Sequence, residues 1–401
     1  MKIKPVILCG GSGTRLWGKS KKNIAKQFID FGGWSLIQKT LERVKNPIFD
    51  YPIISTNLKY LKQIRQSLKK TKINKYKIVL EPSKKNTAPA ILSSALIKDI
   101  PESQPLLYLS ADHLLSKASK FNQEIKKNKE LLTNKNIFIF GIKPTSVSDQ
   151  FGYFLTKKVK KNYNRVIKFY EKPKKNIAQK LIKKGSYWNS GIFYSRKDSI
   201  IYNFKKYQKK MFQNSFSAVK KSKFKKDVYY LNKNVFNKNP SKSFDYAILE
   251  KTKEINSINL NIFWSDLGSW REILTMFYNN RSKYFNKEKV FYRPWGKYTN
   301  LYNGDGFLIK ELVINSKSSI SLQKHNFRSE HWTVVSGNPL ITINKKKFLK
   351  KTNQTVFVPK GSVHRIENKY NKPVVIMEVQ LGSVLKESDI IRYKDIYGRI
   401  K

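Results

Sequence analysis

The stretch Val6-Ile7-Leu8-Cys9-Gly10-Gly11-Ser12-Gly13-Thr14-Arg15-Leu16 decides how this chain is read. Four apolar residues in a row predict a short buried strand, and the glycines predict a loop at its carboxyl end. Lacking Cβ atoms, Gly10, Gly11 and Gly13 let backbone N–H groups close on an anion, with Ser12 and Thr14 beside them. Arg15, Lys19, Lys22 and Lys26 add positive charge. The combination predicts a nucleotide or sugar-phosphate site at the end of the first strand.

The same loop fits a second pattern. Gly13-Thr14-Arg15-Leu16-Trp17-Gly18-Lys19-Ser20 matches the P-loop, G-x-x-x-x-G-K-[ST]. Leu106-Leu107-Tyr108-Leu109 followed by Asp112 resembles the apolar strand and metal-binding Asp that P-loop enzymes need. Local pattern alone leaves both readings open, so the rest of the chain has to decide.

Length predicts two domains or three for 401 residues. No apolar run approaches the roughly 18 residues needed to cross a bilayer, so no membrane partner is expected. The single cysteine, Cys9, excludes an intrachain disulfide and suits a cytoplasmic protein. On a buried strand it reads as a small core side chain. Net charge is +54, from 81 Lys+Arg against 27 Asp+Glu. A basic surface of that size could bind nucleic acid, but the lysines are scattered through every segment and no recognition motif accompanies them. Composition bias is the reading taken, with no specific nucleic-acid partner expected.

Up to about residue 145 short apolar runs alternate with amphipathic stretches. Strands are predicted at 5–9, 52–55, 77–80, 106–109 and 137–141, and helices at 36–44, 86–98 and 121–132. Alternation of this kind predicts an α/β domain, Rossmann-like, with a mostly parallel mixed sheet and helices on both faces. Ligands then bind beyond the carboxyl ends of the strands, where the glycine loop and Asp112 fall. Further strands are expected at 151–155 and 166–170, with helix over much of 200–240. From about Phe291 short strands recur between turn signals such as Asn303-Gly304-Asp305-Gly306, predicting a small all-β domain.

Three of the four histidines lie in that second region. Gln323 and His325 share one face of a predicted strand, Glu330 follows after a turn, and His364 can arrive from an opposing strand. An amide oxygen, two imidazoles and a carboxylate suit Zn²⁺ or another divalent metal. Glu330 to Gly337 and Pro359-x-Gly361-x-x-His364-x-x-x-Asn368 resemble the two cupin motifs. With Arg293-Pro294-Trp295-Gly296 and Asp395-Ile396-Tyr397-Gly398-Arg399, the region resembles the isomerase domain of bifunctional mannose-6-phosphate isomerase/mannose-1-phosphate guanylyltransferases. The resemblance implies a cupin jelly-roll over 288–401 that interconverts mannose 6-phosphate and fructose 6-phosphate. Arg399 or Arg365 would stabilise phosphate or enediolate, and His331, Lys324 and Glu367 are the candidate bases.

The opening stretch resembles the signature of the same family's nucleotidyltransferase half, when joined to Lys26-Gln27-Phe28. Supporting motifs follow in order: Glu81-Pro82, Asn86-Thr87-Ala88-Pro89-Ala90, Ala111-Asp112-His113 and Glu171-Lys172-Pro173. Trp188-Asn189-Ser190-Gly191, Asp245-Tyr246-Ala247 with Glu250-Lys251, and Trp264-Ser265-Asp266-Leu267-Gly268 complete the series. Their order disposes of the P-loop reading. The resemblance implies that residues 1–285 form GDP-mannose and pyrophosphate from GTP and mannose 1-phosphate. Arg15 and Lys26 would hold the triphosphate, and Gly10, Gly11, Ser12, Gly13 and Thr14 would line it. Asp112 and Asp266 would bind Mg²⁺. Glu81, Asn86 and Thr87 would border the guanine, and Gly152, Glu171, Lys172 and Asn189 the mannose and its phosphate.

Departures from the family are visible too. Ala25 and Gly18 stand where proline is usual, and Lys85 where arginine is common. Only 22 residues separate Trp270 from Arg293, where relatives carry a further β-rich segment, so homo-oligomerisation is left open. Two other readings stand beside the bifunctional enzyme. One has a single working half, the transferase; the other is a basic nucleic-acid-binding protein on a decayed enzyme scaffold. The intact carboxylate and metal sets argue against decay.

Overall fold

The computed structural model describes residues 1–11, 25–31, 34–159, 163–268, 272–274, 278 and 289–399. The chain falls into two compact units whose main segments are Ser35–Asp266, together with the N-terminal strand, and Leu267–Lys401. Each is described by itself.

In the first unit the apolar runs become strands β1 (Lys4–Cys9), β2 (Ile53–Asn57), β3 (Lys77–Glu81), β4 (Pro105–Ser110), β5 (Leu114–Leu115), β6 (Ile137–Ile142) and β7 (Tyr153–Lys158). They continue as β8 (Asn164–Tyr170), β9 (Tyr187–Arg196), β10 (Lys223–Lys225), β11 (Val228–Tyr230), β12 (Ile255–Leu260) and β13 (Trp264–Ser265). The predicted strands are present, shifted by no more than two residues at either end except for the one expected at 151–155, which runs three residues further, over Tyr153–Lys158. Helices are α1 (Leu36–Arg43), α2 (Leu61–Lys70), α3 (Thr87–Ala95), α4 (Ala118–Lys127), α5 (Lys175–Lys183), α6 (Lys197–Tyr207), α7 (Lys209–Lys220) and α8 (Lys233–Phe236).

Eleven strands form one sheet in the order β10-β11-β3-β2-β1-β4-β9-β6-β12-β8-β7. The block β11-β3-β2-β1-β4 is parallel throughout. Beyond it, β9 is inserted antiparallel between β4 and β6, so β6 and its parallel neighbour β12 point the same way as β1. The sheet is therefore mixed, with most strands running in one direction. Side chains alternate between two cores. Ile7, Leu107 and Leu109 meet Ile37, Leu41, Ile64, Phe121 and Ile125 from α1, α2 and α4 on one face. Val6, Leu106 and Tyr108 meet Ile91, Leu92, Ile200, Phe204 and Met211 from α3, α6 and α7 on the other. The period-2 strand pattern, apolar on both sides, is what a sheet covered on both faces requires. Cys9 is buried in the first core, and burial pushes its thiol up, out of the reactive range.

The second unit is all β. Its strands are β14 (Val290–Arg293), β15 (Gly296–Gly304), β16 (Phe307–Ile314), β17 (Leu322–His325), β18 (Arg328–Ser336) and β19 (Leu340–Ile343). They continue as β20 (Lys346–Leu349), β21 (Thr355–Val358), β22 (His364–Glu367), β23 (Val374–Gly382) and β24 (Ile390–Lys394). Two antiparallel sheets result, β14-β15-β16-β23-β18-β21 and β20-β19-β22-β17-β24. Leu312, Ile314, Trp332, Val358 and Ile376 of the first pack with Ile341 and Ile366 of the second to form the core. Part of the motif spacing serves this frame. The Asn368 amide donates to the carbonyls of Ile314, Asn315 and Lys372 at 3.2, 2.9 and 2.9 Å, closing the turn before β23. Among the described residues no helix is long and apolar enough to cross a membrane.

Candidate active sites

The first site lies where the parallel strands end. A cavity of about 400 Å³ is lined by Gly10 and Gly11 after β1, Asn57 of β2, Glu81 of β3, and Ser110 and Asp112 after β4. Asn86 and Thr87, at the start of α3, line it as well. The Asn86 side chain accepts from Thr87 N at 2.8 Å and caps the helix, from a backbone with φ +66°. Glu81 is buried and accepts from Ser55 Oγ at 2.7 Å; burial holds its carboxyl up, at about 7.

The Lys26-Gln27-Phe28 motif folds back onto this pocket. Lys26 is buried, and its Nζ pairs with Asp112 Oδ2 at 2.8 Å while donating to the backbone oxygen of Asp266. Gln27 Nε2 and Tyr60 Oη donate to Gly11 O at 3.1 and 3.2 Å, and Phe28 packs on the Tyr60 ring. These contacts fix the course of the chain as it leaves β1. Burial pushes the Asp112 carboxyl up, but Lys26 and His113 outweigh it and hold it below the usual carboxylate range. His113 Nε2 lies 3.8 Å from Asp112 Oδ1, and its ring meets Trp264 edge-on. Asp112 and Asp266 thus converge on one lysine, although 154 residues apart in the chain. Asp266 meets that lysine through its backbone oxygen, while its charge reaches His113 beside Asp112; the Asp112 carboxylate offers the hard oxygen donors that a divalent cation takes. Ser12, Gly13, Thr14 and Arg15 lie outside the described residues.

Gly152, Glu171, Lys172 and Asn189 are brought together beside β9. A Cβ on Gly152 would sit 2.7 Å from Glu171 Oε2 and 3.3 Å from Asn189 Cβ, so only glycine lets these side chains close up. Gly152 O accepts from Asn189 N at 2.8 Å. Lys172 Nζ is 3.8 Å from Glu171 Oε1. Two further carboxylates join them. Asp245 Oδ1 accepts from Asn189 Nδ2 at 2.7 Å, and Glu250 Oε1 accepts from Glu171 N at 3.4 Å. Burial, with Asp245 nearby, pushes Glu171 up to about 8, and burial pushes Asp245 up to about 6.

In the second unit Gln323, His325, Glu330 and His364 meet as the sequence predicts. Gln323 pairs with His364 across β17 and β22. The imidazoles, which are buried, each turn Nδ1 to a carbonyl: Asp389 O at 3.2 Å for His325 and Ser362 O at 2.9 Å for His364. That leaves both Nε2 atoms toward Glu330, at 3.1 and 3.7 Å. The three ligand atoms lie within 4.8 Å of one another, and His364 Nε2 is buried without a hydrogen-bond partner. Nδ1 donors to carbonyls with Nε2 lone pairs converging on a carboxylate are the arrangement of a divalent-metal site. Gln323 Nε2 is 3.4 Å from His325 Nε2, and Gln323 Oε1 accepts from Ser321 Oγ at 2.7 Å. Turning that amide over brings its oxygen to the other ligands.

A cavity of about 60 Å³ opens beside these residues, bounded by Gln323, Glu330, Glu378, Arg293, Lys310 and Arg399 among others. Arg399 holds Asp395 through Nε at 2.9 Å and through its terminal nitrogen at 2.6 Å. Arg365 instead donates to Lys394 O. The three base candidates lie on the wrong sides of their strands. His331 faces Phe357, with ring centroids 4.6 Å apart, and burial lowers it to about 4. Lys324 Nζ sits 5.7 Å from the Tyr393 ring, on the face of β17 opposite Gln323 and His325, and Glu367 lies on the face of β22 opposite His364.

A family profile described as nucleotidyl transferase matches residues 4–283, and one described as mannose-6-phosphate isomerase C-terminal matches residues 279–395. The chain belongs to the nucleotidyl transferase family. The alginate biosynthesis protein AlgA of Pseudomonas fluorescens is 30% identical, over 98% of this chain and 96% of its own. A mannose-1-phosphate guanylyltransferase of Klebsiella pneumoniae is 28% identical, over 99% of this chain and all of its own. A solved structure, the mannose-6-phosphate isomerase of Helicobacter pylori, is 25% identical with a TM-score of 0.58, over 66% of this chain and all of that one. The AlgA alignment runs over 466 positions, more than the 401 residues of this nucleotidyl transferase, so that relative carries residues absent here.

Sequence reasoning missed several residues of both sites. Asp245 and Glu250 were visible as motif members with no role. Arg328 is buried on the Glu330 face of β18, donating from Nε to Glu330 Oε1 at 3.1 Å and lying 3.1 Å from His325 Nε2. Glu378 and Gln380 come from β23. Trp332 Nε1 donates to both Glu330 and Glu378, as does Gln380 Nε2. The period-2 pattern of Arg328, Glu330 and Trp332 was the available signal for Arg328.

Two outcomes are expected of this nucleotidyl transferase. Glu171 keeps its proton in the folded state up to about pH 8 but gives it up near 4.5 when unfolded, so it costs stability as pH rises across that window. Glu171→Gln, which carries no charge, should lose less stability than the native chain between pH 4.5 and 8.5 in urea titrations; parallel losses would contradict the placement. Zn²⁺ or a similar divalent cation should raise the thermal midpoint, with about 2.7 kcal/mol gained at a hundredfold excess over Kd. Glu330→Gln should abolish that gain, and an equal gain in the variant would contradict the ligand set.

Proposed function

We propose that this chain makes GDP-mannose and pyrophosphate from GTP and mannose 1-phosphate in residues 1–285. Residues 288–401 interconvert mannose 6-phosphate and fructose 6-phosphate. Cytoplasmic location follows from such soluble substrates. The observation that supports the first activity is the cavity at the strand ends, lined by Gly10, Gly11, Glu81 and Asp112, with Lys26 bonded both to Asp112 and to the backbone oxygen of Asp266. The Klebsiella relative bears that activity in its name, and the profile described as mannose-6-phosphate isomerase C-terminal, over residues 279–395, supports the second.

In the transferase, guanine fits the Glu81 end of the pocket. Its N1–H and N2–H donors lie side by side and match one carboxylate, which the Watson–Crick edge of adenine does not. Gly10, Gly11, Ser12, Gly13 and Thr14 take the triphosphate, with Arg15 and Lys26 neutralising it. Glu171 and Asn189 accept and donate to the mannose hydroxyls, and Lys172 meets the sugar phosphate. An oxygen of that phosphate attacks the α-phosphorus, the bond to the β-phosphate oxygen breaks, and pyrophosphate leaves. Mg²⁺ held by Asp112 and Asp266 supplies charge neutralisation when bound.

In the isomerase, Arg399, Arg293 and Lys310 bring positive charge to the cavity for the sugar phosphate. A divalent metal held by Gln323, His325, Glu330 and His364, Zn²⁺ or a similar ion, supplies polarisation of the sugar oxygens when bound. Asp395 orients Arg399, and Trp332 and Gln380 keep Glu330 turned toward the imidazoles.

Purified chain with GTP, Mg²⁺ and mannose 1-phosphate should release pyrophosphate and form GDP-mannose, faster than with ATP, UTP or glucose 1-phosphate. Arg15→Ala should slow it by about 10²–10³, the cost of one preorganised charge-stabilising group. No GDP-mannose under any condition, or normal turnover by the variant, would overturn the respective assignment.

A further inference from the structure

The segment Ser241–Glu250 touches both substrate regions of the first unit. At its start, Ser241 lines the strand-end cavity. Ala88 N donates to Lys242 O at 3.1 Å, and Phe244 N donates to Thr87 Oγ1 at 2.8 Å, which ties the segment to the first turn of α3. Its later part reaches the other cluster. Asp245 Oδ1 takes the Asn189 amide at 2.7 Å, and Glu250 Oε1 takes Glu171 N. Between these ends the backbone makes a π-turn over Asp245–Leu249, with Ala247, Ile248 and Leu249 buried in the sheet's second core. A π-turn widens a helix by one residue and is stable only where its surroundings demand it. Here it lets three apolar side chains enter the core while Asp245 stays at Asn189.

Asn189 is held at both ends of its amide. Nδ2 donates to Asp245, and Oδ1 accepts from Gly191 N at 3.2 Å. One N–H and one lone pair remain for a ligand. With Asp245 removed, the amide is free to rotate about its last torsion, and the buried donor loses its charged acceptor.

We propose that Asp245 is a positioning residue for the sugar phosphate: it fixes the Asn189 amide in the orientation that receives a sugar hydroxyl. It acts from a segment whose other end is bonded to the nucleotide-side helix. The inference rests on the assignment of the Gly152–Glu171–Asn189 cluster to the sugar. It adds the residue that orients that cluster, and it separates the sugar side from the nucleotide side in kinetics.

The test is steady-state kinetics of the full chain with each substrate varied in turn. Asp245→Ala should raise the KM for mannose 1-phosphate about tenfold or more, as expected for loss of a hydrogen bond to a charged group, and leave the KM for GTP within about twofold. Asp245→Asn, which keeps an acceptor oxygen, should restore most of the difference. Asn189→Ala and the double variant Asn189→Ala/Asp245→Ala should have the same KM for mannose 1-phosphate, because Asp245 acts through Asn189. Should Asp245→Ala fail to fold, Asp245→Glu moves the carboxylate by one methylene and reads the same split. An unchanged KM for mannose 1-phosphate in a folded variant, an equal rise for both substrates, or additive losses in the double variant would overturn the inference alone. Absence of any transfer by the unaltered chain would instead overturn the function on which it rests.

Discussion

Lys26 is the constraint around which the first unit is arranged. A buried ammonium group is tolerable only if paired and hydrogen-bonded. Its partners are the Asp112 carboxylate after β4 and the Asp266 carbonyl after β13. One side chain therefore ties the strand that opens the chain to a strand in its middle and to the last residues of the unit. Gln27 and Phe28, the next two residues, fasten the exit from β1 through Gly11 and Tyr60. A strand-end cavity needs such fastening, because sheet hydrogen bonds stop where the strands do. The ammonium also keeps Asp112 ionised, which is the state in which a carboxylate can share a cation with phosphate oxygens.

Carboxylates in this protein are sorted by what surrounds them. Asp112 and Glu330 sit beside cationic groups or imidazoles and are held low. Half-buried Glu171 and Asp245 and buried Glu378 lie near other acids and are pushed up by desolvation. The first kind stays charged, and the second holds its proton more readily. Environments that push neighbouring carboxyl groups apart assign them different tasks on one scaffold.

Much of this was legible in the residues. Val6–Cys9 and the four later apolar runs are strands because nothing else in those stretches can be buried on two faces. Gln323, His325, Glu330 and His364 could be grouped because period 2 and a hairpin turn place them on one side. What stayed hidden was of three kinds. The antiparallel insertion of β9 depends on pairing between β4 and β6, which no local pattern records. The facing of His331, Lys324 and Glu367 depends on register, and one residue of parity removes each from the site. Asp245 and Arg328 act through partners, Asn189 and Glu330, that are distant in sequence or concealed by alternation. A charged residue in a motif does not announce which buried amide or carboxylate it will meet.

The strand-end cavity and the Glu171–Asn189 cluster are proposed to receive the two ends of one bound nucleotide sugar. A crystal structure of the chain with GDP-mannose and Mg²⁺ tests it most directly. Guanine should lie against Glu81, the phosphates over Gly10 and Gly11 with the cation at Asp112 and Asp266, and mannose on Glu171 and Asn189. Nucleotide bound away from the β1–β4 ends, or mannose out of reach of Asn189, would contradict it.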